Sequence, residues 1–206
     1  MPAELSGLLL TGGASRRLGR DKALLPVGEG GEPLARTLGR SLAAVTGVAL
    51  EVGPGHSGLP VPDEPDPGEG PLAAIAAGWS YLLAHGRPGP ALVLATDLPR
   101  LSPRCLREIA SWPAPKGSSV VPVLHGRLQP LCARWSAGAL ERAAALVAQG
   151  ERRVQAALDH GPLLRLTEGD LARCTPPIDA ATELADVDLP GDLCRLGLDL
   201  EGGRAP

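Results

Sequence analysis

The run Ser6–Leu10, which is apolar after its first residues, ends at two glycines, Gly12 and Gly13. Such a short apolar run is typical of a strand that is buried on both faces of a sheet. Because the glycines lack Cβ atoms, their amides can approach a phosphate closely and form an anion-binding concavity. The start of the chain therefore predicts a buried strand that leads directly into a phosphate-binding loop.

Short apolar runs alternate with helical periodicities along most of the chain. Strands are predicted at residues 48–52, 91–95, 118–124, 129–135, 163–166 and 183–187. Helices are predicted at residues 34–45, 72–85, 103–110, 137–148 and 154–160, and the proline-rich residues 59–71 are predicted to form an irregular loop. This alternation predicts an α/β fold of three layers, with a mostly parallel sheet between two layers of helices.

The length of 206 residues suits one domain with its own apolar core. We expect residues 1–196 to form this domain and residues 197–206 to be a flexible tail.

The net charge of −3 argues against a general nucleic-acid binder, which would usually carry a strongly basic face. The four cysteines lie far apart without metal-ligand spacing, which is typical of reduced thiols in the cytosol. The chain shows neither a signal-peptide pattern nor an apolar run of about 18 residues, so the expected location is the cytoplasm, away from membranes.

Four cations follow the first predicted strand within seven residues: Arg16, Arg17, Arg20 and Lys22. In a chain that is acidic overall, this cluster beside two glycines predicts a site for a small polyanion. A solvated basic turn is the alternative. The spacing does not fit a P-loop, because five residues separate Gly13 from Gly19, and it does not fit a dinucleotide fingerprint.

A second candidate position is Asp97, which follows the predicted strand at residues 91–95. Ligands of parallel α/β sheets collect at the carboxyl ends of the strands, so Asp97 and the glycine loop are expected to share one rim. A turn or helix-capping aspartate is the alternative interpretation.

Residues 10–24, LTGGASRRLGRDKAL, closely resemble the signature L-x-G-G-x-S-x-R-x-G-x-D-K-x-L of the molybdenum cofactor guanylyltransferases. Further segments resemble that family in the same order: Asp63 ahead of GPLA at 70–73, TDLP at 96–99, QPL at 129–131, GERRV at 150–154 and DVDLPGDL at 186–193. The resemblance covers roughly residues 6–196. It implies a Rossmann-like nucleotidyltransferase fold in which the phosphate of molybdopterin attacks the α-phosphorus of GTP and pyrophosphate leaves.

The resemblance also implies roles for individual residues. Arg16 and Lys22 would contact the triphosphate and its developing charge, and Asp97 would hold Mg²⁺ with Asp188 as a second acidic contact. Asp63 would accept hydrogen bonds from the guanine edge. The nucleotide would otherwise be bound largely through backbone atoms of four residues: Leu10, Thr11, Gly12 and Gly13. An ordinary loop or surface role is the alternative for Asp63 and for Asp188.

The chain departs from the family pattern at two positions. Glu51 stands where the family often has asparagine, and Arg100 stands where an aromatic residue is usual. Arg152 and Arg153 are expected either to grip the pterin phosphate or to form surface salt bridges. The four histidines, at positions 56, 85, 125 and 160, show no ligand spacing and are interpreted as structural or surface residues.

Two other functions remain open at this point. The first is a related nucleotidyltransferase that uses CTP on the cofactor or acts on a sugar phosphate. The Gly12-Gly13 pair favours the guanylyl branch, since cytidylyl relatives tend to have Ala-Gly there. The second is a non-catalytic nucleotide-binding domain, against which the presence of both Lys22 and Asp97 argues. The expected partners are GTP and molybdopterin, with no nucleic acid, and the expected state is a monomer that meets cofactor-delivering or cofactor-accepting proteins transiently.

Overall fold

The structure, a computed structural model, describes residues 5–12, 18–19, 21–28, 30–62 and 69–198. Three of the predicted site residues, Gly13, Arg16 and Asp63, lie outside the described residues. Most of the predicted tail, residues 199–206, also lies outside them.

The strands of the described chain are β1 (Ser6–Leu10), β2 (Pro26–Val27), β3 (Glu32–Pro33), β4 (Val48–Val52), β5 (Ala91–Ala95), β6 (Ser119–Leu124), β7 (Arg127–Leu128), β8 (Cys132–Trp135) and β9 (Leu163–Leu166). Strands β2 and β3 form a small separate hairpin, and the other seven form one sheet in the order β4-β1-β5-β8-β6-β7, with β9 paired to β6. Five of these seven strands run in one direction, because only β8 and the short β7 pair antiparallel with their neighbours. The prediction of a mostly parallel α/β sheet is confirmed.

The helices of the described chain are α1 (Leu34–Val45), α2 (Pro71–Ala84), α3 (Pro103–Ser111), α4 (Ala137–Ala148), α5 (Ala156–Asp159), α6 (Glu168–Ala172), α7 (Ala180–Glu183) and α8 (Pro190–Arg195). Alternate residues of the central strands enter two different apolar cores. Leu9 and Leu94 pack with α1 and α3, whereas Leu8 and Val93 pack with α2 and α4. The period of two along a strand thus places helices on both faces and produces the predicted three layers.

Local sequence signals set several of these boundaries. The Ser102 side chain accepts a hydrogen bond from the backbone N–H of Cys105, and Pro103 occupies the first turn of α3. Helix α2 begins after Gly70, whose φ of +91° suits a residue without a Cβ atom, and Pro71 again fills the first turn. No helix in the described ranges is long and apolar enough to cross a membrane.

The predicted strand at residues 183–187 is wrong. Glu183 is the last residue of α7, which begins after Asp179, and the Asp179 side chain accepts hydrogen bonds from the amides of Ala181 and Thr182. This cap favours a helical turn where the apolar pattern alone suggested a strand. Val187 does reach the sheet, but through a single backbone hydrogen bond to the carbonyl oxygen of Asp97, beyond the end of β5.

Candidate active site

A pocket lies at the carboxyl ends of the two central parallel strands. In the sheet register, Leu10 at the end of β1 is paired with Val52 of β4 on one side and with Ala95 of β5 on the other. The residues that follow β1 and β5 therefore emerge at one edge of the sheet. The pocket is lined by Leu10, Thr11, Gly12, Asp21, Lys22, Pro71, Ala95, Thr96, Asp97 and Leu131.

Five of the predicted site residues line this pocket: Leu10, Thr11, Gly12, Lys22 and Asp97. The expectation that the glycine loop and Asp97 share one rim of the sheet is therefore met in the structure. The hydroxyl of Thr96 donates to the carbonyl oxygen of Leu10 at 3.4 Å, which connects the ends of the two strands.

Lys22 begins a short 3₁₀ turn, Lys22–Leu24. Asp21 precedes the turn, and its carboxylate accepts a hydrogen bond from the backbone N–H of Ala23 at 2.9 Å. The ammonium Nζ of Lys22 lies 2.6 Å from Oδ1 of Asp188. Asp188, the remaining predicted site residue that the structure describes, therefore contacts a residue that lines the pocket. The Lys22 side chain is 17% exposed, whereas that of Asp188 is 53% exposed, which places the ion pair at the mouth of the pocket.

Asp97 is one of two aspartates that line the pocket, and its position beyond the end of β5 affects its ionisation. Burial raises its pKa to about 6, against the opposing positive charge of Lys22, and the negative charges of Asp186 and Asp188 add to the rise. Val187 donates its backbone N–H to the carbonyl oxygen of Asp97 at 2.9 Å, which brings the segment with Asp186 and Asp188 close to the end of β5. Asp97 is thus a partly buried carboxylate with one positive and two negative charges nearby.

These carboxylates fit a divalent cation. Among the described residues there is no group of three or more histidines, cysteines, aspartates or glutamates that could hold a metal ion by itself. Mg²⁺ suits such a site because it accepts one or two carboxylates and takes its remaining oxygen ligands from water and substrate phosphates. A cation beside Asp97 would also oppose the effects of burial and of the neighbouring aspartates, which together raise the pKa of this group.

Glu51, which the sequence marked only as a departure from the family pattern, is a central structural element of this rim. The residue is fully buried in β4. Its carboxylate accepts hydrogen bonds from the hydroxyls of Thr11 and Ser57, both at 2.5 Å, and from three backbone amides, those of residues 55, 56 and 57. A single charged residue in an otherwise apolar strand, followed by Gly53-Pro54-Gly55, was the signal in the sequence that could have identified it.

Asp21 and His56 form a second contact that sequence reasoning did not assign. Nε2 of His56 lies 3.2 Å from Oδ2 of Asp21, and Asp21 lines the pocket beside Lys22. His56 was expected to be a structural or surface residue, and its side chain is 26% exposed in this contact. The pair connects the turn after β4 with the segment that carries Lys22.

Gly53 is required by the close packing of two chain segments at this rim. A Cβ atom at Gly53 would lie 2.1 Å from the Thr11 hydroxyl oxygen and 2.7 Å from the amide nitrogen of Gly12, and the φ of Gly53 is +151°. Because of these two short distances, a residue with a side chain could be placed at position 53 only if the backbone at Thr11 and Gly12 moved.

Arg152 and Arg153 form ion pairs in the structure. Arg152 lies 3.3 Å from Glu69, just before α2, and Arg153 lies 2.8 Å from Glu151. These contacts correspond to the surface salt bridges that the sequence allowed, and a grip on the pterin phosphate stays a prediction.

Residues 7–162 match the family described as the MobA-like NTP transferase domain. The chain is 36% identical over 174 residues to the probable molybdenum cofactor guanylyltransferase of Mycobacterium tuberculosis, covering 81% of this chain and 85% of the relative. It is 34% identical over 199 residues to the molybdenum cofactor guanylyltransferase of Rhodobacter capsulatus, covering 93% of this chain and 94% of the relative. The crystal structure of molybdopterin-guanine dinucleotide biosynthesis protein A from Archaeoglobus fulgidus shares the fold, with a TM-score of 0.72 at 18% identity over 93% of this chain and 96% of that one. The chain belongs to the MobA-like NTP transferase family, as its glycine-rich signature predicted.

Proposed function

We propose that this protein transfers GMP from GTP to the phosphate of molybdopterin, giving the guanine dinucleotide cofactor and pyrophosphate. The main support for this proposal is that Lys22 and Asp97 line one pocket together with the chain segment Thr11-Gly12, at the ends of β1 and β5. This combines a cation, a carboxylate suited to a metal ion and the closely approachable amide of Gly12, which is the set that transfer to a phosphorus centre requires. The names of two relatives at 36% and 34% identity support the choice of donor and acceptor.

In the proposed reaction, an oxygen of the molybdopterin phosphate forms a bond to the α-phosphorus of GTP. The bond between that phosphorus and the oxygen bridging to the β-phosphorus breaks, and the electron pair leaves with pyrophosphate. An ionised phosphate needs no general base to act as nucleophile. The protein therefore contributes by positioning the two phosphates and by neutralising their charge.

Lys22 supplies positive charge beside the phosphate loop, where Asp21 fixes the backbone of its turn. Arg16, which lies outside the described residues, is proposed as the second cation on the triphosphate. Together they would offset charge that develops on the phosphate oxygens in the transition state.

We propose Mg²⁺ as the metal, held by Asp97 with Asp188 as a second acidic contact. Bound there, the ion would supply charge neutralisation at the phosphate oxygens. The support is the type and number of ligands. The described residues offer carboxylate oxygens but no group of three or more protein ligands, and Mg²⁺ commonly binds one or two carboxylates and completes its coordination with water and phosphate oxygens.

We propose that the nucleoside is bound through backbone atoms of Leu10, Thr11, Gly12 and Gly13. Asp63 would accept hydrogen bonds from the N–H groups at the guanine edge. Gly13 and Asp63 lie outside the described residues. We further propose one nucleotidyltransferase domain over residues 1–196, a tail at 197–206, a monomer in the cytoplasm and transient contacts with proteins that deliver or accept the cofactor.

The direct test is turnover with GTP and either molybdopterin or its molybdenum-loaded form, with pyrophosphate and the guanine dinucleotide as the measured products. Titration with GTP, CTP and UTP in the presence of Mg²⁺ should show tightest binding of GTP. Tighter binding of CTP would contradict the guanine assignment while leaving the nucleotidyltransferase chemistry in place. Binding of GTP without release of pyrophosphate would instead support a non-catalytic domain.

A further inference from the structure

Glu51 is a fully buried, charged residue that is not among the residues lining the pocket. Burial of an ionised carboxylate costs folding free energy unless both of its oxygens accept hydrogen bonds. Here Oε1 accepts from the hydroxyl of Thr11 and from the amides of Gly55 and His56, and Oε2 accepts from the amide and hydroxyl of Ser57. Burial alone would raise the pKa of Glu51, but these hydrogen bonds outweigh it and hold the pKa below its ordinary value. Glu51 is therefore retained as a charged acceptor.

The first of these bonds connects Glu51 to the start of the phosphate loop. Thr11 lines the pocket and is only 4% exposed, and its hydroxyl donates away from the pocket to Glu51. The backbone N–H of Thr11 also donates to Val52, at the end of the strand that carries Glu51. Both the side chain and the backbone of Thr11 are thus fixed to β4, directly before Gly12.

The other bonds connect Glu51 to the segment that carries Lys22. The amide of His56 donates to Glu51, while the imidazole of the same residue meets Asp21, the cap of the Lys22 turn. The turn at residues 55–57 therefore lies between the buried carboxylate of Glu51 and the partly exposed carboxylate of Asp21, and it contacts both.

We propose that Glu51 is a positioning residue of the nucleotide site, which fixes the end of β1 through Thr11 and the Lys22 turn through His56 without itself touching the nucleotide. The role rests on the proposed function, since it concerns how the same pocket receives its triphosphate. Preorganised amides and cations are what make such a pocket effective, because no binding energy is then spent on ordering them.

A carboxylate is required here because every group that faces it is a donor. A glutamine would replace one oxygen with an NH₂ group, which would face the N–H of at least one residue in the 55–57 turn. Two opposed donors in a buried site cannot both be satisfied, so the turn or the end of β1 has to move. Glu51→Gln is therefore a conservative change in shape that removes the proposed role.

Thr11→Val tests the connection to β1 more narrowly, because it removes one hydroxyl and keeps the shape of the side chain. We expect both variants to raise the Kd and KM for GTP by about tenfold, the effect of losing a hydrogen bond to a charged group. The kcat should change much less, since neither residue contacts the reacting phosphates. The effects of the two changes should not add in the double variant, because both act on the same hydrogen-bond network around residue 51.

His56→Ala tests the other connection. It removes the imidazole contact with Asp21 and keeps the backbone bond from residue 56 to Glu51. We expect a rise in KM for GTP here as well, and an unchanged KM would overturn the part of the proposal that reaches Lys22.

The chain offers matched controls for general loss of packing. Thr46 is a buried threonine whose hydroxyl bonds to Leu42, near the opposite end of the sheet, and Thr46→Val makes the same chemical change as Thr11→Val. Glu183 accepts from the amide and hydroxyl of Ser102, much as Glu51 does from Ser57, and provides Glu183→Gln. Both controls should lower the melting temperature without a change in the Kd for GTP.

Equal rises in Kd for the controls and the test variants would overturn the proposal, as would an unchanged Kd in Thr11→Val. If Glu51→Gln does not fold, Thr11→Val alone decides the outcome. If the wild-type protein prefers CTP, the proposed function fails, and the positioning role is then read from the Kd for CTP in the same variants. Binding of no nucleotide by the wild type overturns both.

Discussion

Nζ of Lys22 lies 2.6 Å from Oδ1 of Asp188, although 166 positions separate the two residues in the chain. The phosphate loop near the start of the chain and the acidic segment near its end therefore meet at the mouth of one pocket. The pair joins a residue predicted to counter the triphosphate with one predicted to contact the metal. Its charges are the basis of the first prediction.

Replacing Lys22 by alanine should lower kcat for GMP transfer by roughly 10²–10³, the effect of losing one electrostatic stabiliser of the transition state. The measurement is steady-state release of pyrophosphate. Lys116→Ala is the matched control, because Lys116 is an exposed lysine outside the pocket. A change of less than about twofold in Lys22→Ala would remove this residue from the proposed mechanism.

Replacing Asp97 by asparagine should abolish Mg²⁺-dependent transfer, because the amide keeps the shape of the side chain and removes the charge that holds the ion. Circular dichroism checks that the fold is retained. Asp186→Asn is the control for charge acting through space, since Asp186 influences Asp97 only electrostatically in the structure. Full activity in Asp97→Asn refutes the metal role.

The raised pKa of Asp97 predicts how stability depends on pH. Because the folded-state pKa of about 6 lies above the ordinary value of 3.8, protonated Asp97 favours the fold. This contribution is complete below the ordinary pKa and is lost as the pH rises through the folded-state value. Asp97→Asn, which stays neutral, should therefore stabilise the protein at pH 8 by up to about 3 kcal/mol.

The gain in Asp97→Asn should shrink as the pH is lowered from 8 towards 4, where wild-type Asp97 becomes protonated. Urea unfolding in the presence of a chelator measures the free energy of unfolding of both proteins across this range. A gain that is constant with pH would show that packing, and not ionisation, sets the difference.

Replacing Gly53 by alanine should weaken GTP binding, because the added Cβ atom would collide with Thr11 and with the amide of Gly12. Gly86→Ala is the matched control: Gly86 also has a positive φ, of +71°, but has nothing within 4 Å of an added Cβ atom. Both variants should lose about 1 kcal/mol of stability from backbone strain. Only Gly53→Ala should raise the Kd for GTP, as measured by calorimetry, and an equal Kd in both would contradict the collision.

The parts of the fold that depend on local pattern were predictable from the sequence. The bounds of β1, α1, β4 and β5 follow from apolar periodicity, and the start of α3 follows from Ser102 and Pro103. The wrong strand at residues 183–187 shows the limit, since a cap at Asp179 outweighed a short apolar pattern. The reversed direction of β8 was likewise beyond local pattern, because strand direction depends on pairings between distant segments.

The candidate site divides in the same way. Lys22 and Asp97 were predictable, because each follows directly from a motif at the end of a strand. The hydrogen bonds of Glu51 were not predictable, because its five donors come from two segments that only the folded chain brings together. The rise in the pKa of Asp97 depends equally on tertiary structure, since burial is its main cause.

The backbone bond from Val187 to Asp97 has a consequence for how members of this family can diverge. The family match spans residues 7–162, which include the phosphate loop and Asp97 but not Val187 or Asp188. The region around the pocket is thus shared between the segment that the family match spans and a later stretch of chain. That stretch is attached by this backbone bond, by the Lys22–Asp188 ion pair and by the burial of Val187 in the apolar core. Substitutions in that stretch can alter the charge beside Lys22 while the residues that line the pocket stay the same.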